Sequence, residues 1–397
     1  MVLQERKFYQ HFDWLLVIPP VLLMIIGTLM IYNTTGTKPG FDTSDLLHDI
    51  TFRQIVYVVA GLVVLFSLSA FDYRIYAAFR YPLYLLMIGL LAVVFILGQI
   101  THGAQRWIDL SFFQLQPSEP AKLIIVLVLA KFFADHEKEM SKWRTLAVSL
   151  AIVGLPIGMV YLQPDLGTAL VLGFIWLVMV IAAGLSWRRL LMLAVIGVIL
   201  LPLVWLTLQP YQRDRVMTFM NPSADPLGSG YNPLQAQIAI GSGGIWGLGL
   251  GSGMTSQLRY LRIRHTDFIF AVIGEELGFW GGVFIFFLFV FIIVRLLRAA
   301  VTSHSAYGRL VAVGFAAALF FQSFVNLGMN LGLMPVTGIP LPFVSSGGSS
   351  LVTYLMMLGI VESVLSYDNE LRVRSEVVPR KRQKIPVEAA PEYRDYL

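Results

Sequence analysis

Apolar runs about twenty residues long, separated by short polar or charged intervals, recur along almost the whole chain. Roughly 20 mostly apolar residues are enough for a helix to cross the hydrocarbon core of a bilayer. Ten stretches fit: Trp14–Tyr32, Gln54–Ala70, Tyr81–Gly98, Glu119–Phe133, Thr145–Tyr161, Asp165–Gly184, Arg189–Leu208, Asp267–Arg295, Tyr307–Leu333 and Ser345–Leu365. The pattern predicts an all-α polytopic membrane protein of about ten helices, with one long extracytoplasmic loop between the seventh and eighth. The fourth stretch is short and the fifth to seventh lie close together, so nine or eleven spans also fit. Asn33-Thr34-Thr35-Gly36 after the first stretch offers no small-residue cleavage site, so that stretch reads as a span and not as a signal peptide.

The same pattern sets the boundaries. Residues 1–13 form an N-terminal segment, 14–366 a transmembrane domain with 209–266 as its long loop, and 367–397 a tail. The tail, with Arg380-Lys381-Arg382, Pro386 and Pro391, is expected to be disordered. Its basic run suits either contact with anionic membrane lipid or simple solvation. No internal repeat of the transporter kind is visible.

Composition sharpens this reading. Of 397 residues, 57% are hydrophobic and 13% charged, against about 25% charged in an average soluble domain. That excludes the soluble enzyme classes. The net charge of +5 is read as topology and not as a nucleic-acid surface. Arg6, Lys7, Arg74, Arg80, Lys131, Lys138, Lys142, Arg144, Arg188, Arg189, Arg295, Arg298 and Arg309 fall in one set of short segments; only Lys38, Arg53 and Arg106 fall in the other. The positive-inside rule therefore places both termini in the cytoplasm and the long loop outside. The chain has no cysteine, which excludes disulfides, thiolate metal sites and cysteine nucleophiles.

Candidate chemistry lies where charges enter the spans, since such residues are costly in lipid. Glu119 and Lys122 open the fourth stretch three residues apart, on one helix face, able to pair. Ser118 or Glu119 also suits a helix cap. Asp165 opens the sixth stretch and Asp267 the eighth, and each is equally readable as a cap. Asp267 has basic neighbours in the long loop, namely Arg213, Arg215, Arg259, Arg262 and Arg264. A carboxylate there suits proton removal from a sugar hydroxyl, with cations at hand for a phosphate. Glu275 and Glu276 lie deeper in that stretch. At 100° per residue, Glu275 is the closer to the Asp267 face.

The glycine-rich run from Gly241 to Gly253 lacks a Gly-Lys-Ser/Thr signature. It reads as turn chemistry or, alternatively, as a backbone phosphate nest. Asn326 and Asn330 share a helix face and suit interhelical hydrogen bonds. Ser345 to Ser350 suits close helix packing or a polar groove lining. No zinc-protease or serine-triad pattern occurs.

Four segments together resemble the SEDS family (shape, elongation, division, sporulation). They are Gln116-Pro117-Ser118-Glu119-Pro120-Ala121-Lys122, Gln163-Pro164-Asp165-Leu166-Gly167-Thr168-Ala169, Arg264-His265-Thr266-Asp267-Phe268-Ile269-Phe270 with Glu275-Glu276-Leu277-Gly278, and Pro335-Val336-Thr337-Gly338-Ile339-Pro340-Leu341-Pro342-Phe343 with Gly347-Gly348-Ser349-Ser350. The wording around Asp267 is closer to the RodA branch than to FtsW. Departures are Ser346 where Tyr is usual, Gly274 where Ala is common and Arg262 where Pro is frequent.

The resemblance implies a ten-helix peptidoglycan glycosyltransferase that polymerises lipid II on the outer face beside a class B penicillin-binding protein. It marks Asp267 as the essential acid, with Glu119, Lys122, Asp165 and Arg215 at further family positions. On this expectation Asp267 deprotonates the acceptor hydroxyl, which attacks with inversion. Arg215, with Arg213, Arg106 or Lys122, then neutralises the leaving pyrophosphate, and Glu275 supports the site. A divalent cation such as magnesium or manganese is a further candidate for that role. A lipid flippase and a membrane scaffold are the rival readings.

Overall fold

The computed structural model describes residues 12–35, 49–101, 104–110, 113–253 and 266–377. Each of the ten apolar stretches overlaps a helix. These are α1 (Trp14–Thr35), α2 (Ile50–Ala70), α4 (Arg80–Leu97), α5 (Ser118–Asp135), α6 (Trp143–Leu162), α7 (Leu166–Ala182), α8 (Trp187–Thr207), α11 (Ile269–Thr302), α12 (Ala306–Asn330) and α13 (Gly348–Val377). Among the described residues three shorter α-helices accompany them, α3 (Arg74–Ala78), α9 (Pro210–Met220) and α10 (Tyr231–Ser242). Among the described residues six helices are long and apolar enough to cross a membrane: α1, α2, α6, α11, α12 and the Gly348–Tyr367 part of α13. Two shorter apolar helices accompany them, Arg80–Ile96 and Leu166–Ala182.

The bundle has an apolar core, as a soluble protein does, but its exterior is apolar as well. α5 and α12 are buried along most of their length, whereas α8 and one face of α11 expose Leu191, Val198, Ile199, Phe284, Phe286 and Phe287. A contiguous apolar exterior of this extent is a lipid-facing surface. This is a multi-pass membrane protein.

Three expectations need correction. The chain is not wholly α: between α4 and α5 lies a three-stranded antiparallel sheet, β1 (Gln99–Thr101), β2 (Ala104–Leu110) and β3 (Phe113–Leu115). Strands of three to seven residues are too short for alternation to stand out beside apolar runs of twenty. The long connection after α8 is not an open loop, since α9 and α10 occupy much of its described part. Finally, the backbone of α13 continues helical to Val377, past the boundary at 366; residues 378–397 lie outside the described residues.

One irregularity shapes the site. α11 is broken at Gly278, where φ is 68° and ψ −162°. The glycine-rich loop after α10 plugs the break. Leu248 N and Gly249 N donate to the Glu275 and Glu276 carbonyls, both at 3.0 Å, and Phe279 N donates to Gly244 O at 2.9 Å. The approach is too close for side chains: a Cβ on Gly278 would lie 2.2 Å from Gly247 N, and one on Gly247 2.2 Å from Glu276 O. The glycine run therefore combines local turns, with Gly244 N and Gly247 N donating to Gly241 O and Gly243 O, with a splice in which the Leu248 and Gly249 amides bond to the broken helix.

Candidate active site

The half-helix before the break begins just after Asp267, and three contacts fix its start. Asn326 Nδ2 and Asn330 Nδ2 on α12 donate to the Asp267 carbonyl at 3.1 and 3.0 Å. Ser345 Oγ donates to Thr266 O at 2.6 Å. Asp267 is not the cap of α11; Phe268 is, without a side-chain cap bond. From the other side α10 packs Ala236 and Ala239 against Phe268 and Ala271. Gly274, the departure from the common Ala, permits this: a Cβ there would lie 3.0 Å from Ile240 Cγ1.

These elements enclose a cavity of about 500 Å³ lined by, among others, Arg106 of β2, Asp214 and Arg215 of α9, Asn232 of α10, and Asp267. Arg215 and Asp267 converge above Gly338. A Cβ at Gly338, whose φ is +76°, would lie 3.5 Å from Arg215 Nη1 and 3.7 Å from Asp267 Oδ2. Arg215 Nη1 also donates to Val336 O at 3.3 Å, and its guanidinium lies 5.7 Å from the centre of the Tyr211 ring. Burial, then the Arg106 charge, pull the Arg215 pKa below its ordinary value, against the pull of Asp267, Tyr211 and Asp165. Two guanidinium groups in one partly desolvated cavity make a site for an anion.

Asp165 stands behind the cavity wall. It is buried, caps α7 by accepting from Thr168 N at 3.2 Å, and accepts from Thr168 Oγ1 at 2.9 Å. Gln116 Nε2 and Ser118 Oγ donate to it at 3.1 and 3.3 Å, so Ser118 is no cap for α5. Its remaining partner is Arg106, at 3.8 Å. The cap reading of Asp165 is thus realised, and its side chain meets the cavity only through Arg106.

Glu119 and Lys122 form an ion pair at 2.8 Å and are almost fully buried. Lys122 Nζ also donates to Gln322 Oε1 at 2.6 Å, which Tyr354 OH joins at 2.8 Å. Neither residue is among those lining the cavity. Their place is in the packing of α5 against α12 and α13.

Two further candidates face elsewhere. Arg213 donates to Leu206 O at 2.8 Å, because two residues along a helix from Arg215 is a turn of about 200°. Glu275 does not meet Asp267, for eight residues also rise about 12 Å along the axis. Its carboxylate lies where a Cβ on Gly253 would be, 2.5 Å from Oε2. Arg259, Arg262 and Arg264 lie outside the described residues. Sequence reasoning missed Tyr211, Asp214 and Thr218, which line the cavity with Arg215. Their spacing of three and four along α9 is the signal that would have found them.

A family model described as a cell cycle protein family, FtsW/RodA/SpoVE, matches residues 13–370. The chain belongs to this family. A FtsW/RodA/SpoVE relative from Escherichia coli K12, peptidoglycan glycosyltransferase MrdB, is 37% identical over 355 residues, 89% of this chain and 93% of the relative. Stage V sporulation protein E of Bacillus subtilis is 37% identical over 359 residues, 89% and 97% of the two chains. Among solved structures, a chain of a peptidoglycan synthase complex that coordinates polymerization and crosslinking matches with TM-score 0.77 and 35% identity, covering 90% of this chain and 98% of that one. The FtsW/RodA/SpoVE fold therefore holds over nearly the whole described bundle.

Proposed function

We propose that this chain is a RodA-like peptidoglycan glycosyltransferase that polymerises lipid II for cell elongation and shape. The observation that carries the reading is the convergence of Asp267 and Arg215 above Gly338, in a cavity shared with Arg106. A carboxylate beside paired guanidinium groups matches the needs of the reaction. Asp267 takes the proton from the acceptor hydroxyl as it attacks the anomeric carbon, with inversion. Arg215 and Arg106 receive the charge that develops on the departing lipid pyrophosphate. Asp165 holds Arg106 in place from behind.

The membrane arrangement in this reading is ten spans, with both termini cytoplasmic and the connection carrying α9 and α10 on the outer face. The basic residues of the short loops support it. A class B penicillin-binding protein is the transpeptidase partner, in keeping with the synthase complex that the fold matches.

Among the described residues no group of three or more His, Asp or Glu converges as a metal site. A magnesium or manganese ion would take Asp267 and Asp214 as protein ligands, both of which line the cavity. Magnesium commonly binds through one or two carboxylates plus substrate phosphates. It would supply further neutralisation of the pyrophosphate.

The test is incubation of labelled lipid II with purified protein and its partner, in parallel with a vesicle translocation assay. Glycan strands are the expected product. Translocated lipid without strands would move the chain to the flippase reading.

A further inference from the structure

The loop that plugs the break in α11 has an unusual combination of backbone and side-chain properties. Several of its backbone polar groups are used internally: besides the bonds from Leu248, Gly249 and Phe279, Gly247 N donates to Gly243 O at 2.8 Å and Ser252 N to Gly249 O at 3.2 Å. Trp280 N reaches Ile245 O at 3.5 Å. Its side chains are apolar and displayed outward, with Trp246 81%, Leu250 61% and Ile245 60% exposed. In water such a loop would present a large apolar patch with little polar rim.

The patch continues into another surface. Phe279 and Trp280, the first residues after the break, are 61% and 55% exposed. Their side begins the exposed apolar face of α11 that includes Phe286 and Phe287. That helix is among those long and apolar enough to cross a membrane. Irregular backbone is excluded from the hydrocarbon region when its N–H and C=O groups are unpaired. Here the splice with α11 pairs the carbonyls of Gly244 and Ile245 and the amides of Leu248 and Gly249 with backbone of the helix.

We infer that residues 244–250 form a lip embedded in the leaflet on the cavity side of the membrane, a lipid contact separate from the spans. The occupant of the patch is the bilayer itself, argued from its continuity with the lipid-facing side of α11. Tryptophan is favoured at the level of the headgroups, where an apolar ring and a polar N–H are both accommodated. The consequence is that the half-helix that starts after Asp267 is tied through Glu275 and Glu276 to a membrane-anchored loop. The cavity is thereby held at the surface where a lipid-linked substrate lies.

The absence of cysteine makes the test direct. Single spin labels are attached to Trp246→Cys and, separately, Leu250→Cys in the full chain reconstituted in bilayers. Collisions with oxygen, which concentrates in lipid, are compared with collisions with a water-soluble nickel chelate. Phe286→Cys is the lipid reference and Leu227→Cys, at a residue 90% exposed between α9 and α10, is the aqueous one. Retained lipid II polymerisation by each labelled protein verifies its fold. The expected result is oxygen exceeding nickel at both lip positions, as at Phe286. Nickel exceeding oxygen, as at Leu227, would overturn the inference. So would shielding from both agents that appears only when a class B penicillin-binding protein is added, since that would make the lip a protein contact.

Discussion

Arg106 reaches Asp165 across 3.8 Å from a β-strand to the start of a helix, and only the arginine of the pair lines the cavity. The aspartate is thus the positioning member. It is locked by Gln116, Ser118 and Thr168, and Arg106 takes its direction from it. Asp165→Asn keeps the size of the side chain and removes its charge. The expected outcome is a fall in polymerisation of about tenfold, with a stability loss of about 1.5–3 kcal/mol for charge-assisted bonds weakened. Initial rates and thermal melting in detergent check both parts. An unchanged rate would contradict the positioning role of Asp165.

Arg215 is predicted to act on the pyrophosphate. Removing a preorganised group of this kind costs about 10²–10³ in turnover, so Arg215→Ala should lose at least the lower figure. Arg215→Lys should recover part of it, because a point charge replaces a planar fork. Arg213→Ala, whose side chain bonds to Leu206 O, should stay near wild type. If a divalent cation shares the load, chelation will slow Arg215→Ala proportionally more than wild type in the same rate assay.

The Glu119–Lys122 pair should reveal itself through stability. Breaking a buried ion pair by removing one partner costs about 3–5 kcal/mol. Lys122→Met should therefore lower the melting temperature sharply, and the double change with Glu119→Gln should restore much of it. A large change in KM with unaltered melting would contradict the placement of this pair away from the cavity.

The splice in α11 predicts intolerance at two glycines. Gly278→Ala meets both a positive φ and a 2.2 Å approach to Gly247 N; Gly247→Ala meets the Glu276 carbonyl. Both should reduce turnover and expose the amides of Leu248, Gly249 and Phe279 to hydrogen exchange. Gly241→Ala, which has open space around it, is the control expected to behave as wild type.

The apolar periodicity located every long helix, because a span in lipid must be a continuous apolar run. Asp165 and Asp267 stood out for the complementary reason, as charges at the edges of such runs. The short strands around Arg106 did not, since a seven-residue strand leaves little pattern. Glu275 illustrates a different limit. Its angular position was legible, but its distance along the helix and the loop inserted at Gly278 turned it toward Gly253. Asp214 was hidden because its importance comes from the face that α9 shares with Tyr211, Arg215 and Thr218.

The proposed function rests on Asp267 as the base. Its most direct test compares lipid II polymerisation by wild type and Asp267→Asn, each with the class B partner and each verified as folded. General-base catalysis contributes about 10²–10⁴ in rate. Glycan strands are expected from wild type, with a loss of that order in the variant. Equal strands from both proteins would contradict Asp267 as the base.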